Sequence, residues 1–402
     1  MQVVRRDLVL NFDRQDWSAC TPEEIEERLE RYCAGIHRDG IDPGIAPLMR
    51  MGLIALPGGR YHFVFIYSHL LMDGWSEGIL FDELESFYDG LRRGVPGNLP
   101  APAPYHEFVQ WLQGKDMKRG DSFWREYLRG FRNPTAVPGE SGMAADPVQT
   151  TAWEAVQTVV GREASDALRQ MCRHSQITLN TITQAAWALV LSEYSGETDT
   201  VFGSAVAVRP PELPGIERTI GLLLNMTPVR ISLESQAGVE SWLRDLHNEQ
   251  AQVRQYSDIP LLHVQSCSEI PRGTPLFETT VGFQNLSLAS SSYRQGRPLR
   301  LPIEDVAFSG GWTNYAFCID VEPHEELLLT ASFDKRRFSA GGARQVLEVF
   351  AACLPMIAAH ANLTVEILRG SLAAWRRDQV ARKMQSSLSA HRRQFARSRR
   401  SI

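Results

Sequence analysis

The chain is poor in the features that would set it apart from ordinary globular proteins. It has no uninterrupted apolar run of the roughly 18 residues that a membrane helix needs. Its least polar stretches, 177–192 and 349–365, are interrupted by Asn180 and Gln184 or by Pro355 and His360, and read as buried helices. The opening MQVVRRDLVLNF lacks the long apolar core of a secretory signal. Six cysteines (Cys20, Cys33, Cys172, Cys267, Cys318, Cys353) are scattered, with no CxxC pair and no zinc-ligand spacing. Such usage fits reduced core thiols in a cytoplasmic protein. A Gly-rich phosphate loop and a Cys–His pair are also lacking, so no metal and no tightly bound cofactor is expected.

What is present is the composition of a folded protein: 43% hydrophobic and 22% charged residues over 402 positions. At about 150 residues per domain this length suggests two or three domains. The net charge of −5 argues against nucleic acid as a partner of the whole chain. That value hides an asymmetry. From Arg376 to the end there are nine Lys or Arg and one Asp, a tail of +8 on a body of −13.

Hydrophobic patterning predicts a strand over 3–12 and a helix opened by Thr21-Pro22-Glu23-Glu24, a hydroxyl cap with proline and acids in the first turn. Runs 48–56 and 61–68, separated by Pro57-Gly58-Gly59-Arg60, predict a hairpin. A helix to about 88 comes next, then helices over 105–112 and 122–128. An irregular stretch at 133–148 marks the main boundary. Beyond it come strands over 153–160, 200–208, 220–231, 279–283, 316–321 and 327–333, with helices over 163–175, 178–194 and 340–359. Strands alternating with helices in both halves point to an α/β or α+β architecture of two lobes.

The most informative segment is SHLLMDGWS, residues 68–76. Here a β-branched and aromatic strand ends at His69, and Asp73-Gly74 opens a helix. Gly74 is expected to permit a close backbone approach, or a backbone conformation that a Cβ forbids. A histidine at a strand end is placed to accept a proton from an attacking amine or hydroxyl at neutral pH. Asp73 is suited to holding the loop by pairing with an arginine. By strand alternation His62 lies on the face opposite Phe63, Phe65 and His69, and reads as a pairing or edge residue. Trp75 reads as a packing anchor.

SHLLMDGWS resembles the HHxxxDGWS signature of nonribosomal peptide synthetase condensation domains, relatives of the chloramphenicol acetyltransferase fold. Further segments are similar in the same order. They are YHEFVQW at 105–111, TLNTITQAAWALVLSEYSGETDTVFG at 178–203, Arg209-Pro210, IGLLLNMTPVR at 220–230, YSDIP at 256–260 and Phe333-Asp334. The resemblance implies two such lobes in a V, the first over 1–134 and the second over 135–370, with a basic tail at 371–402. It implies amide formation by attack of an acceptor amine on an acyl or peptidyl thioester. Both substrates would ride on phosphopantetheine arms of acyl- and aminoacyl-carrier proteins, with adenylation or synthetase modules as further partners. His69 takes the catalytic place, Asp73 and Arg209 a structural pairing, and Ser68, Gly74, Trp75 and Asn225 supporting places in the motifs.

Two departures qualify this expectation. Ser68 stands where the signature has its first histidine. The first lobe also lacks the opening strand and helices of the family, for which a late start codon, a fragment completed by another polypeptide and a decayed gene are the alternatives. The first is favoured by the sensible core patterning in the rest of the lobe. With no downstream adenylation or carrier segment, the chain resembles a stand-alone enzyme. Acyl transfer to a free amine or alcohol and a non-catalytic interaction module are the other functions considered. The tail reads as a solvated terminus, or else as a helix that docks an acidic carrier or synthetase.

Overall fold

The computed structural model describes residues 3–5, 7–10, 12–95, 99, 101–136, 153–233, 236–284 and 313–398, with side chains as far as Gln385 apart from that of His37. The expected boundary at 133–148 therefore lies largely outside the described residues. The first part of the chain runs β1 (Phe12–Asp16), α1 (Pro22–Asp39), β2 (Met49–Ala55), β3 (Tyr61–Tyr67), α2 (Gly74–Arg93), α3 (Tyr105–Gln113) and α4 (Asp121–Tyr127). Its three strands form one sheet in spatial order β1-β2-β3, with β1 parallel to β2 and β3 antiparallel.

The strand expected at 3–12 is displaced. Residues 3–5 and 7–10 lie outside any strand, and Val4 and Val9 are more than four-fifths exposed. In the parallel register Phe12 sits beside Met51, and β2 starts at Met49, so before residue 10 the register runs off the start of β2. Pairing, not β-propensity, decides this boundary. Thr21 does start α1, and its hydroxyl and the Glu24 carboxylate complete a reciprocal capping box.

The second part runs β4 (Trp153–Val160), α5 (Arg162–Ser175), α6 (Leu179–Ser195), β5 (Asp199–Ala207), β6 (Leu224–Ser232), α7 (Val239–Arg254), α8 (Leu261–Ser266), β7 (Thr279–Phe283), β8 (Phe317–Pro323), β9 (Leu327–Asp334), α9 (Ala340–Ala359) and α10 (Val365–Ser398). Its six-stranded sheet has the order β4-β9-β8-β7-β5-β6, parallel only at β5–β7 and β7–β8. Helices α7 and α8 were not among the sequence expectations; the many charged and amide residues of α7 hide the stripe of Trp242, Leu243, Leu246 and Val253 that it buries.

Core packing is centred on α6, whose residues from Thr181 to Ser192 are all buried. Its few polar side chains include Gln184, which is paired inside: its Nε2 donates to Ser204 Oγ at 3.1 Å. The Trp187 ring stacks on Phe317, meets Phe350 edge-on and donates its Nε1–H to Thr279 Oγ1 at 3.2 Å. By length and composition α9 could cross a membrane, but it carries Val346, Leu347, Phe350, Cys353 and Leu354 into this core, each 1% exposed or less. Helix α10 closes the core through Val365, Leu368 and Leu372.

The tail does not fray where the basic residues start. Helix α10 continues unbroken, Arg376 reaches the Glu193 carboxylate at 3.1 Å with its guanidinium over Tyr194, and Lys383 meets Glu348 at 2.7 Å. The body's acids thus engage two of the tail's cations.

Trp187→Ala is expected to lower unfolding free energy by about 3–5 kcal/mol, since it removes a fully buried indole and leaves a cavity. Urea denaturation followed by circular dichroism measures this; a loss under about 1 kcal/mol would show that α6 is not the packing centre.

Candidate active site

The site is built where β3 hands over to α2. Ser68 N–H still bonds back to the Leu48 carbonyl at 2.9 Å, which ends the hairpin. A tight turn comes next: Leu71 N–H donates to Ser68 O at 2.9 Å, and Leu70 N–H to Ser68 Oγ at 3.3 Å. The Ser68 hydroxyl therefore serves the turn's own backbone. His69, exposed on this turn, places Nδ1 3.1 Å from the carbonyl oxygen of Met72. A carbonyl only accepts, so this contact puts the ring proton on Nδ1 and leaves the Nε2 lone pair free. The Tyr67 ring meets the imidazole edge-on, with centroids 5.7 Å apart.

Asp73 caps α2. Its Oδ1 accepts the Ser76 N–H at 2.8 Å, as an N-cap carboxylate does. Its Oδ2 accepts the Leu223 N–H at 3.0 Å, and its own N–H donates to Gly221 O at 3.1 Å. The Arg209 guanidinium completes the shell at 3.1 Å, with both side chains under a tenth exposed. Ser76 Oγ lies 2.7 Å from Asp73 Oδ1 and accepts the Gly221 N–H at 3.1 Å. Arg209 is itself held by the carbonyls of Ile216 and Thr219, at 2.7 and 3.0 Å. Burial pulls its pKa down, a push that Asp73 opposes, and its Nε is buried with no hydrogen-bond partner among the described residues.

The rest of the clasp is aromatic. Trp75 donates its Nε1–H to Glu217 O at 2.9 Å, and Arg209 lies over its ring at 5.0 Å. Tyr105 donates to Leu222 O at 3.1 Å, and its ring packs so tightly on Gly221 that a Cβ there would overlap it. These contacts bear on why β6 starts at Leu224 and not at 220 as expected: Leu223 O still accepts the Val208 N–H at 2.7 Å, but its N–H goes to Asp73, and the Gly221 peptide and Leu222 O are taken by the start of α2 and by Tyr105. Gly74 departs from its expectation. Nothing lies within 4 Å of where its Cβ would sit and its φ is not positive; it is simply the first residue after the cap.

Asn225 stands apart from the clasp. Its Nδ2 donates to Ser257 O and Ile259 O at 2.8 and 2.6 Å, fastening the start of β6 to the 257–259 segment. His62, opposite Ile54 in the ladder, joins none of these groups.

One titratable residue, joined to His69 through Tyr67, escaped the sequence reading. Glu77, in the first turn of α2, accepts the Tyr67 hydroxyl, and burial raises its pKa from 4.5 to about 7. The spacing of Tyr67 and Glu77 carries no signal, because ten residues bridging a strand and a helix have no common period.

A strand-end histidine and a buried carboxylate–guanidinium clasp on a mixed α/β scaffold define the class: a two-sheet protein of chloramphenicol acetyltransferase-like fold. The condensation-domain family model matches residues 1–369, and the chain belongs to that family. A linear gramicidin synthase polypeptide of Brevibacillus parabrevis is 33% identical over 362 residues, covering 90% of this chain but 7% of that protein. The chain thus spans a small fraction of the curated relatives it matches. Among solved structures, the X-domain from teicoplanin biosynthesis has a TM-score of 0.72 at 16% identity, covering 89% of this chain and 80% of that one. The first condensation domain of the calcium-dependent antibiotic synthetase has a TM-score of 0.67 at 16% identity, covering 89% and 79%.

This geometry sets two expected outcomes. Asp73→Ala is expected to cost about 3–5 kcal/mol, because it strips the α2 cap and leaves a buried guanidinium unpaired. Arg209→Ala is expected to cost less, since Asp73 keeps its backbone donors; equal losses in denaturant titrations would refute the ordering. Glu77 holds in the folded state, between pH 4.5 and about 7, a proton that the unfolded chain has released. Its contribution is full below 4.5 and is lost as pH rises through about 7. Glu77→Gln should therefore leave Tm unchanged in acid and raise it increasingly towards pH 8; a Tm difference independent of pH would contradict this.

Proposed function

We propose that this chain forms an amide by attack of an acceptor amine on a carrier-bound acyl or peptidyl thioester, with His69 as the residue that handles the proton. The observation that carries the reading is the His69–Met72 contact, which fixes the tautomer and presents a basic Nε2 on an exposed turn. The amine nitrogen bonds to the thioester carbonyl carbon, the C–S bond breaks, and the nitrogen's proton passes to Nε2 and on to the departing thiolate. A thioester is already activated, so alignment of two reactants and one proton transfer suffice. Asp73 and Arg209 take no proton in this reading; they hold the His69 turn against the segment at 216–223.

Carrier proteins bearing phosphopantetheine arms are the proposed partners, with adenylation modules supplying the activated acyl groups. The proposed division is a first lobe at 1–134 and a second at 135–370, each with its own sheet, and then the tail at 371–402. Helices α3 and α4 act as the bridge, since Phe108 and Trp124 pack with second-sheet residues such as Val201 or with the neighbouring Leu223. A cytoplasmic location is in keeping with six free cysteines.

The test is transfer between loaded carrier proteins, monitored by intact-mass spectrometry. His69→Ala is expected to slow product formation about 100-fold or more in a chain that stays folded. Equal, nonzero turnover by both proteins would remove His69 from the chemistry. No turnover with any cognate carrier pair would turn the reading towards an interaction module.

A further inference from the structure

We infer that Asp121, His263 and Cys267 form a binding site for a divalent ion of the zinc class, independent of the amide-forming site. One ligand atom from each of the three lies within 4.8 Å of the other two. Asp121 Oδ1 is 2.7 Å from His263 Nε2 and 4.0 Å from Cys267 Sγ. Around a tetrahedral zinc, with bonds of 2.0–2.3 Å, such atoms stand roughly 3.3–3.8 Å apart. The carboxylate and imidazole need part by about half an ångström, and the thiol close on them by up to about 1 Å, which side-chain rotation supplies.

The ligands come from two helices that the core already holds together. His263 lies in α8 and Cys267 four residues on at its end, so both project from one face. Asp121 opens α4. Val264 of α8 and Trp124 of α4, each adjacent to a ligand or one turn from it, are fully buried in one apolar cluster. Arg125 bonds the other carboxylate oxygen, Asp121 Oδ2, at 2.8 Å, and so orients Oδ1 towards the histidine and the thiol.

The donor set selects the ion. One thiolate, one imidazole and one carboxylate suit Zn²⁺ and its spectroscopic stand-in Co²⁺, and disfavour Mg²⁺ and Ca²⁺, which prefer all-oxygen shells. Cys267 is 9% exposed while the side chains of Asp121 and His263 are 21% and 28% exposed. The thiol end is thus enclosed and the opposite side reaches solvent, leaving room for water as a fourth ligand. A thiol ligates as its thiolate, so metal binding displaces the Cys267 proton. Without metal the same residues fall back on the Asp121–His263 hydrogen bond, which links the two helices.

The experiment titrates the purified full chain, under reducing conditions, with Co²⁺ and Zn²⁺ alone. One equivalent of Co²⁺ is expected to give tetrahedral d–d bands and a thiolate-to-cobalt charge-transfer band, displaced by Zn²⁺ and untouched by excess Mg²⁺. Zinc calorimetry in buffers of different ionisation enthalpy should report proton release. Cys267→Ser should abolish the charge-transfer band, and His263→Gln should weaken Zn²⁺ binding about tenfold or more, with circular dichroism unchanged in both. A charge-transfer band that survives Cys267→Ser, equal zinc affinity in His263→Gln, or no metal uptake by the folded wild-type chain would each overturn the assignment. None of these readouts requires turnover, so the outcome is separate from that of the carrier assay.

Discussion

A buried carboxylate is the constraint that sets the geometry of the site. Asp73 is almost out of contact with water, where an unpaired charge is costly. It is tolerated because the Ser76 and Leu223 N–H groups and the Arg209 guanidinium surround it. A buried ion pair of this kind contributes little net stability compared with an apolar pair of the same shape. Its effect here is on register. Asp73 fixes where α2 begins, which chain segment lies against that start, and how far β6 extends. His69 lies four residues before Asp73, so the same clasp sets the orientation of the turn that carries the imidazole.

Around that turn, backbone and side-chain groups divide the work. The Met72 carbonyl sets the tautomer of His69, and Ser68 stabilises the turn with its hydroxyl. In a sequence pattern, serine in place of histidine looks like a loss of chemistry; in the fold its oxygen is occupied by a peptide N–H of the turn. Tyr67 connects the opposite side of the imidazole to Glu77, a carboxyl that burial leaves half-protonated near neutral pH. The histidine is thus packed against a tyrosine whose hydroxyl bonds a group that changes charge within the physiological range.

Much of the scaffold was legible in the sequence. The Thr21 cap, the hairpin around Pro57-Gly58-Gly59, the mostly apolar α6 and the strands β5, β7, β8 and β9 all carry strong local signals of capping, turn chemistry or periodicity. The displaced start of β1 and the shortened β6 were not legible. In each case the decision rests on whether a partner strand or a competing polar group is present, and neither is local. The meeting of Asp73 with Arg209, 136 residues apart, entered the sequence reading only through a family resemblance, since no period or spacing connects the two.

Local sequence was enough for the elements that satisfy their own needs: helices with caps and apolar faces, strands with alternating faces, and an ordered set of motifs that names a family. Which groups share a volume was settled by the fold. Gly221 is small because the Tyr105 ring covers it, and Glu77 is half-buried against the Tyr67 hydroxyl. The fold also brings Asp121 to a histidine and a cysteine more than 140 residues away. The physical reason is the range of the forces. Propensity and capping act within a turn or two of chain, whereas burial, charge pairing and ligand geometry depend on distance in space, which tertiary packing alone supplies.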